Sequence, residues 1–198
     1  MTADPLPGLK RALATPAAPS SDFDLDADAA PARPSMRPAA VLVAVHLRDE
    51  RAEMILTRRA ARLAHHAGQV AFPGGKIDPG DTGPEAAALR EAGEEIGLPA
   101  GAVNVLGTMP AHLTVTGYHV TPVIGLVAGG FSPRPADGEV AEVFSVPFAH
   151  LADAANYTVE ARRWRGRWRH YYTVPWGPYY IWGATARILH SLASGMAR

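Results

Sequence analysis

The chain has 198 residues, with 19 Lys+Arg against 19 Asp+Glu, 47% hydrophobic residues and no Cys. This length suits one domain with an extra arm. The balanced charge supplies no global field for nucleic acid or an anionic membrane, so an anionic ligand must be held by a local site. The missing cysteines exclude disulfide scaffolds, thiol nucleophiles and Cys-ligated metal centres.

The longest apolar runs, such as Ala39–Val45, are too short to span a bilayer. Asp4 and early prolines interrupt any signal-type pattern. The expectation is a soluble cytoplasmic protein with no membrane or nucleic-acid partner.

Residues 1–37 are rich in Ala, Pro, Ser and Asp, as in Thr15-Pro16-Ala17-Ala18-Pro19-Ser20-Ser21. They read as a partly disordered arm or a loose strap, since little apolar surface is available to offset ordering entropy. Leu6, Leu9 and Leu13 fall at helical spacing within it. Residues 38–198 form the expected globular domain. Val41–Leu47 suits a buried strand, and Glu53–Thr57 reads as its hairpin partner. Val70-Ala71-Phe72 is a short apolar piece stopped by Pro73-Gly74-Gly75, which reads as a sharp turn.

Glu85–Ile96 is a helix, with Thr82 or Gly83 to cap it, Pro84 in its first turn and Gly97 as its stop. Downstream the predicted strands are Asn104–Met109, His119–Leu126, Val140–Val146, Tyr157–Arg163, Arg169–Val174 and Tyr179–Trp182. Pro147–Asp153 reads as a helical turn and Ala184–Ala197 as a final helix. Thr185 suits either the buried face of that helix or its cap. This order predicts an α/β (α+β) layered fold with a mixed sheet between helices.

The chemistry concentrates in Arg90-Glu91-Ala92-Gly93-Glu94-Glu95-Ile96-Gly97. At about 100° per residue, Glu91, Glu94 and Glu95 share one helix face. Like charges so placed destabilise a bare helix, and a hard divalent cation with oxygen ligands would relieve them. An isolated triplet of this kind is more often a solvated face. Here it follows a Gly-Gly turn and an acidic loop, and Gly97 closes the helix at once.

That combination resembles the signature of the Nudix hydrolases: Gly75-Lys76-Ile77-Asp78-Pro79-Gly80-Asp81, then Arg90 through Leu98. Asp81 stands where the general pattern has Glu, and the gap to Arg90 is one residue longer. Both features are shared with one subgroup, the coenzyme A pyrophosphatases. The resemblance implies the Nudix α/β/α sandwich and hydrolysis of a diphosphate linked to a further group. It implies Glu91, Glu94 and Glu95 as ligands of Mg²⁺ or Mn²⁺, with Arg90 orienting a glutamate. The attacking water needs a proton acceptor. Glu94 or Glu95 can serve, and Glu142 and, less strongly, Glu139 are candidates outside the helix.

Upstream, Ile55-Leu56-Thr57-Arg58-Arg59 leads through His65-His66-Ala67-Gly68 to Phe72-Pro73-Gly74-Gly75. This resembles the extended motif of the same subgroup, which has Arg where this chain has Ala64; Arg62 lies two residues away. The substrate-binding candidates are Arg58, Arg59, His66, Gly68, Gly74, Gly75 and Lys76, with Arg62 and His65 as further cations for phosphate. Glu142–Phe148 and Ile181–Ala186 also resemble subgroup segments and read as structural.

The resemblance implies coenzyme A or an acyl-coenzyme A as substrate. The alternatives are another nucleoside diphosphate derivative and a catalytically silent nucleotide-binding module. Trp164, Trp168, Tyr171, Tyr172, Trp176, Tyr179, Tyr180 and Trp182, interleaved with arginines, read as core or a homodimer contact in preference to a single-strand stacking surface.

Overall fold

The computed structural model describes residues 4–26, 36–48, 51–63, 66–164 and 166–197. Ala64, His65 and Arg165 therefore lie outside the described residues. The elements in chain order are α1 (Leu6–Ala14), β1 (Ser20–Ser21), β2 (Arg37–Arg48), β3 (Arg51–Arg59), β4 (Val70–Ala71), β5 (Gly74–Lys76), α2 (Pro84–Ile96), β6 (Val103–Thr108), β7 (His112–Leu113), β8 (Tyr118–Val127), β9 (Val140–Pro147), α3 (Phe148–Ala152), β10 (Thr158–Trp164), β11 (Arg167–Thr173) and α4 (Gly183–Met196).

Strands β1 to β9 form one mixed sheet built around β2. Strand β2 runs parallel to β8 and antiparallel to β3 and β5. Strand β9 pairs with β3 on its other side. Strands β10 and β11 make a separate antiparallel hairpin.

Alternation along β2 creates both layers. Ala40, Leu42 and Ala44 pack with Ala87, Ala88, Ala92 and Ile96 of α2. Val43 and Val45 point the other way, into a core with Leu9 of α1 and Ile188, Leu189 and Leu192 of α4. A strand covered on both faces reads as a continuous apolar run, which is why Val41–Leu47 is legible in the sequence. The result is the layered fold expected: a mixed sheet between helices.

Three readings are corrected. Gly74–Lys76 forms a short strand on β2, because its backbone pairs with Ala39–Val41. Tyr179–Trp182 makes only isolated bridges, Trp176 to Tyr179 and Thr173 to Trp182, since it turns back on itself before α4. Thr185 does not cap α4; its buried hydroxyl donates to the Val70 carbonyl at 3.1 Å.

The described part of the N-terminal segment is packed on the domain. Leu9, Ala12 and Phe23 are buried, and β1 adds in parallel to β7. The hairpin aromatics are divided between packing and exposure. Tyr172 and Tyr179 pack against the core, but Trp168 is 63% exposed and Trp164 43%.

Candidate active site

Helix α2 is anchored at its C-terminal end. Gly83 and Pro84 start it without a side-chain cap. At its C-terminus, Gly97 takes the left-handed conformation (φ 71°), and its N–H bonds the Gly93 carbonyl at 3.1 Å. The following loop caps the remaining carbonyls: Arg134 N–H donates to Ile96 and Ala136 N–H to Glu95. A helix terminus whose orphan carbonyls are satisfied holds its last side chains in register.

Arg90 organises the acidic side. Its Nε and Nη2 donate to the two oxygens of Asp81 at 3.0 and 2.9 Å. Its Nη2 also reaches the Lys76 carbonyl at 3.1 Å. Its Nη1 donates to Glu91 and to Glu94, each at 3.0 Å. All five guanidinium N–H groups thus have acceptors, which fixes the plane of the fork. The hydrogen bonds from Arg90 and from the Asp78 N–H hold the Asp81 carboxyl below its ordinary value. The motif alone gives Asp81 no role; in the folded chain it is the bidentate partner of Arg90. Asp is shorter than the Glu of the general pattern, yet it meets Arg90 directly.

Glu91 and Glu95 are turned inward, and Glu94 is exposed. Glu91 lies against Gly75, where any added Cβ would collide with its carboxylate. Glu95 accepts the Gly74 N–H at 3.0 Å and faces Arg59 Nη1 at 3.9 Å. Burial raises the Glu91 carboxyl above its ordinary value and pushes Glu95 up to about 7; Glu91 and Glu139 add repulsion at Glu95. Glu139 lies in the loop that covers this end of α2, where its carbonyl accepts the Ala60 N–H. Its proximity to Glu95 depends on the pairing of β3 with β9, which local sequence does not reveal.

Arg58 and Arg59 are neighbours on β3 and therefore point to opposite faces. Arg59 meets Glu95. Arg58 sits opposite Glu142 on β9 and pairs with it at 3.1 Å. Glu142 also accepts the Tyr179 hydroxyl at 2.6 Å, a bond that holds its carboxyl below the ordinary value.

Glu142 shares the strand face of Phe144 and Val146, in the core beneath α4. The structure therefore pairs Glu142 with Arg58 on the α4 side of the sheet and does not group either with the carboxylates of α2. His66 is exposed and bonded to Gln69, with Gly68 in the same turn. Lys76 is exposed on β5. Arg62 is held by Asp137 at 3.3 Å.

The sequence matches the NUDIX domain family over residues 36–175. It is 43% identical over 159 residues to a Nudix hydrolase of Cronobacter sakazakii named NudL and described as uncharacterized, covering 80% of this chain and 82% of that one. It is 41% identical to the NudL protein of Escherichia coli, covering 79% and 81% of the two chains. The crystal structure of the Nudix hydrolase RenU from M. smegmatis superposes with a TM-score of 0.50 at 28% identity, over 62% of this chain and 83% of that one. The chain belongs to the Nudix hydrolase family.

Nudix hydrolases generally use divalent metals such as Mg²⁺ or Mn²⁺. The donor set on α2 fits such an ion. It is all carboxylate oxygen, and in Glu91 and Glu95 it carries a raised proton affinity that a cation would relieve. Among the described residues no three acidic or His groups already converge on one point, and Arg90 Nη1 bonds both Glu91 and Glu94. Among the same residues, no helix is long and apolar enough to cross a membrane.

Proposed function

We propose that this Nudix hydrolase cleaves the diphosphate of coenzyme A or an acyl-coenzyme A, releasing adenosine 3′,5′-bisphosphate and 4′-phosphopantetheine or its acyl form. The observation that carries the reading is the docking of the extended upstream motif on the signature helix. Arg59, from the end of β3, faces Glu95, and Gly74, from the Phe72-Pro73-Gly74-Gly75 run, donates its N–H to the same carboxylate. The segment that distinguishes the subgroup in sequence thus abuts the catalytic signature.

Glu91, Glu94 and Glu95 would hold Mg²⁺ or Mn²⁺, which when bound neutralises diphosphate oxygens and lowers the pKa of a bound water. Arg90, fixed by Asp81, orients Glu91 and Glu94. Arg59 supplies positive charge for a phosphate beside Glu95. Glu95, held by the Gly74 N–H, or Glu94 beside it accepts the proton of the attacking water. Gly75 leaves the space that Glu91 occupies.

A second reading, another nucleoside diphosphate derivative as substrate, is favoured by one observation. Ala64 replaces the subgroup arginine, and Arg62 is engaged with Asp137.

The test is a product assay with coenzyme A and acetyl-coenzyme A in Mg²⁺ or Mn²⁺, beside a panel of nucleoside triphosphates, dinucleotides and nucleotide sugars. Adenosine 3′,5′-bisphosphate is the expected product, and Glu94→Gln is expected to lower turnover by at least about 100-fold while leaving the fold intact. Cleavage confined to the panel discards the coenzyme A substrate and keeps the family chemistry. Silence on every substrate overturns the enzymatic reading.

A further inference from the structure

The hairpin of β10 and β11 is the most exposed regular structure among the described residues. All seven residues of β10 are exposed, and the hairpin leaves Val159 51% and Trp168 63% accessible. A lone two-stranded ribbon is marginally stable in water. Its two edges differ. The outer edge of β11 is covered: His170 N–H donates to Asp26 at 2.7 Å, and Val174 N–H donates to the Ile181 carbonyl at 2.9 Å. Among the described residues, no backbone hydrogen bond reaches the outer edge of β10 from Val159 to Arg163.

The hairpin register fixes which β10 groups face outward. His170 pairs with Ala161, and its N–H points away from β10. Alternation then directs the N–H and C=O of Val159, Ala161 and Arg163 to the bare edge.

We propose that a second copy of this chain closes that edge, through antiparallel pairing of β10 with β10 about a two-fold axis at Ala161. An isologous contact requires self-complementarity, and the charges select one register. Outward groups must meet outward groups, so the axis falls on a residue and not between two. Centred on Glu160, two carboxylates oppose each other; centred on Arg162, two guanidinium groups do. Centred on Ala161, Glu160 lies opposite Arg162 of the partner subunit, twice over, in the pairing where side chains stand closest.

On the other face the same register aligns Trp168, Arg163, Val159 of the partner subunit and Tyr172 of the partner subunit in one row across four strands. The exposed Trp168 and Val159 of the partner subunit then lie in one row with the Arg163 stem between them. Tyr180 already holds Glu160 through a 2.6 Å hydrogen bond, which presets that carboxylate for the pair.

The experiment is molar mass by light scattering and sedimentation velocity on the full chain, from about 1 to 100 µM. Wild type is expected at twice the 21.0 kDa chain mass. Ala161→Pro removes an N–H that points to the free edge and spares the bonds to β11, so it is expected to halve the mass with the circular dichroism spectrum unchanged. Glu160→Arg and Arg162→Glu singly are expected to be monomeric, and the double exchange to restore the dimer. A monomeric wild type at every concentration overturns the proposal. So does a dimer that survives both Ala161→Pro and Glu160→Arg. Failure of the double exchange to restore association refutes the register.

Discussion

Glu95 combines deep burial with a backbone hydrogen bond and a distant cation, and burial dominates: its carboxyl is pushed up to about 7 from an unfolded value of 4.5. The folded state therefore holds this proton more tightly than the unfolded chain does. The corresponding stability is fully present below pH 4.5 and is lost as pH rises through 7, an effect of about 3 kcal/mol at most. Glu95→Gln removes the titration. Urea unfolding in EDTA from pH 5 to 8 is expected to show wild type losing stability relative to the variant, most steeply between pH 5 and 7. Parallel profiles would refute the assignment.

The placement of this carboxylate on one face with Glu91 and Glu94 was legible, because helical geometry is local. The diversion of Glu142 to Arg58 and Tyr179 was not. Which face a strand residue takes depends on register with a partner 84 positions away in sequence, and no local pattern encodes that.

Helix α2 illustrates how two glycines in one element act in opposite directions. Gly93 is exposed within the helix, and an added Cβ would meet only the Leu98 carbonyl at 3.6 Å, an ordinary contact. Gly97 has φ of +71°, and its Cβ would press on Arg134 at 3.2 Å. Gly93→Ala is expected to stabilise by roughly 0.5–1 kcal/mol through helix propensity. Gly97→Ala is expected to destabilise by about 1 kcal/mol or more, a fall in Tm of roughly 2–4 °C. Differential scanning calorimetry of the two variants reads both signs; a shared sign contradicts the capping geometry.

The limits of α2 were legible because Pro84 and Gly97 are strong local signals. Strand β5 was not, because Pro73-Gly74-Gly75 carries turn chemistry and becomes a strand only through pairing with Ala39–Val41. Tyr179–Trp182 shows the converse: its aromatic composition suits a strand, but the turn at Trp176–Tyr179 leaves it only bridges.

At the scale of the molecule, the N-terminal segment joins layers that the sequence leaves separate. Composition gives residues 1–37 little to bury, but the apolar residues it does have are placed well. Leu9 is fully buried, Ala12 lies against Gly195 of α4, and Arg187 reaches over to Asp24 at 2.7 Å. The most deeply buried tie is polar. His112 is fully buried on β7, with Ser20 at its Nδ1 (2.9 Å) and Asp22 at its Nε2 (3.0 Å).

Removing residues 1–26 would expose the apolar surface of α4 and leave a buried imidazole without either partner. Unpaired buried polar groups cost about 1–3 kcal/mol each, and the lost apolar contacts add a few more. A total of about 4 kcal/mol corresponds to a drop in Tm of about 10 °C for a chain of this size. Helix α2 packs on the opposite face of the sheet, so hydrolysis measured well below the new Tm is expected to survive. A truncated protein that melts within about 2 °C of the full chain would show that the segment is a passive strap. One that folds but loses activity at every temperature would show that it reaches the site on the far side of the sheet.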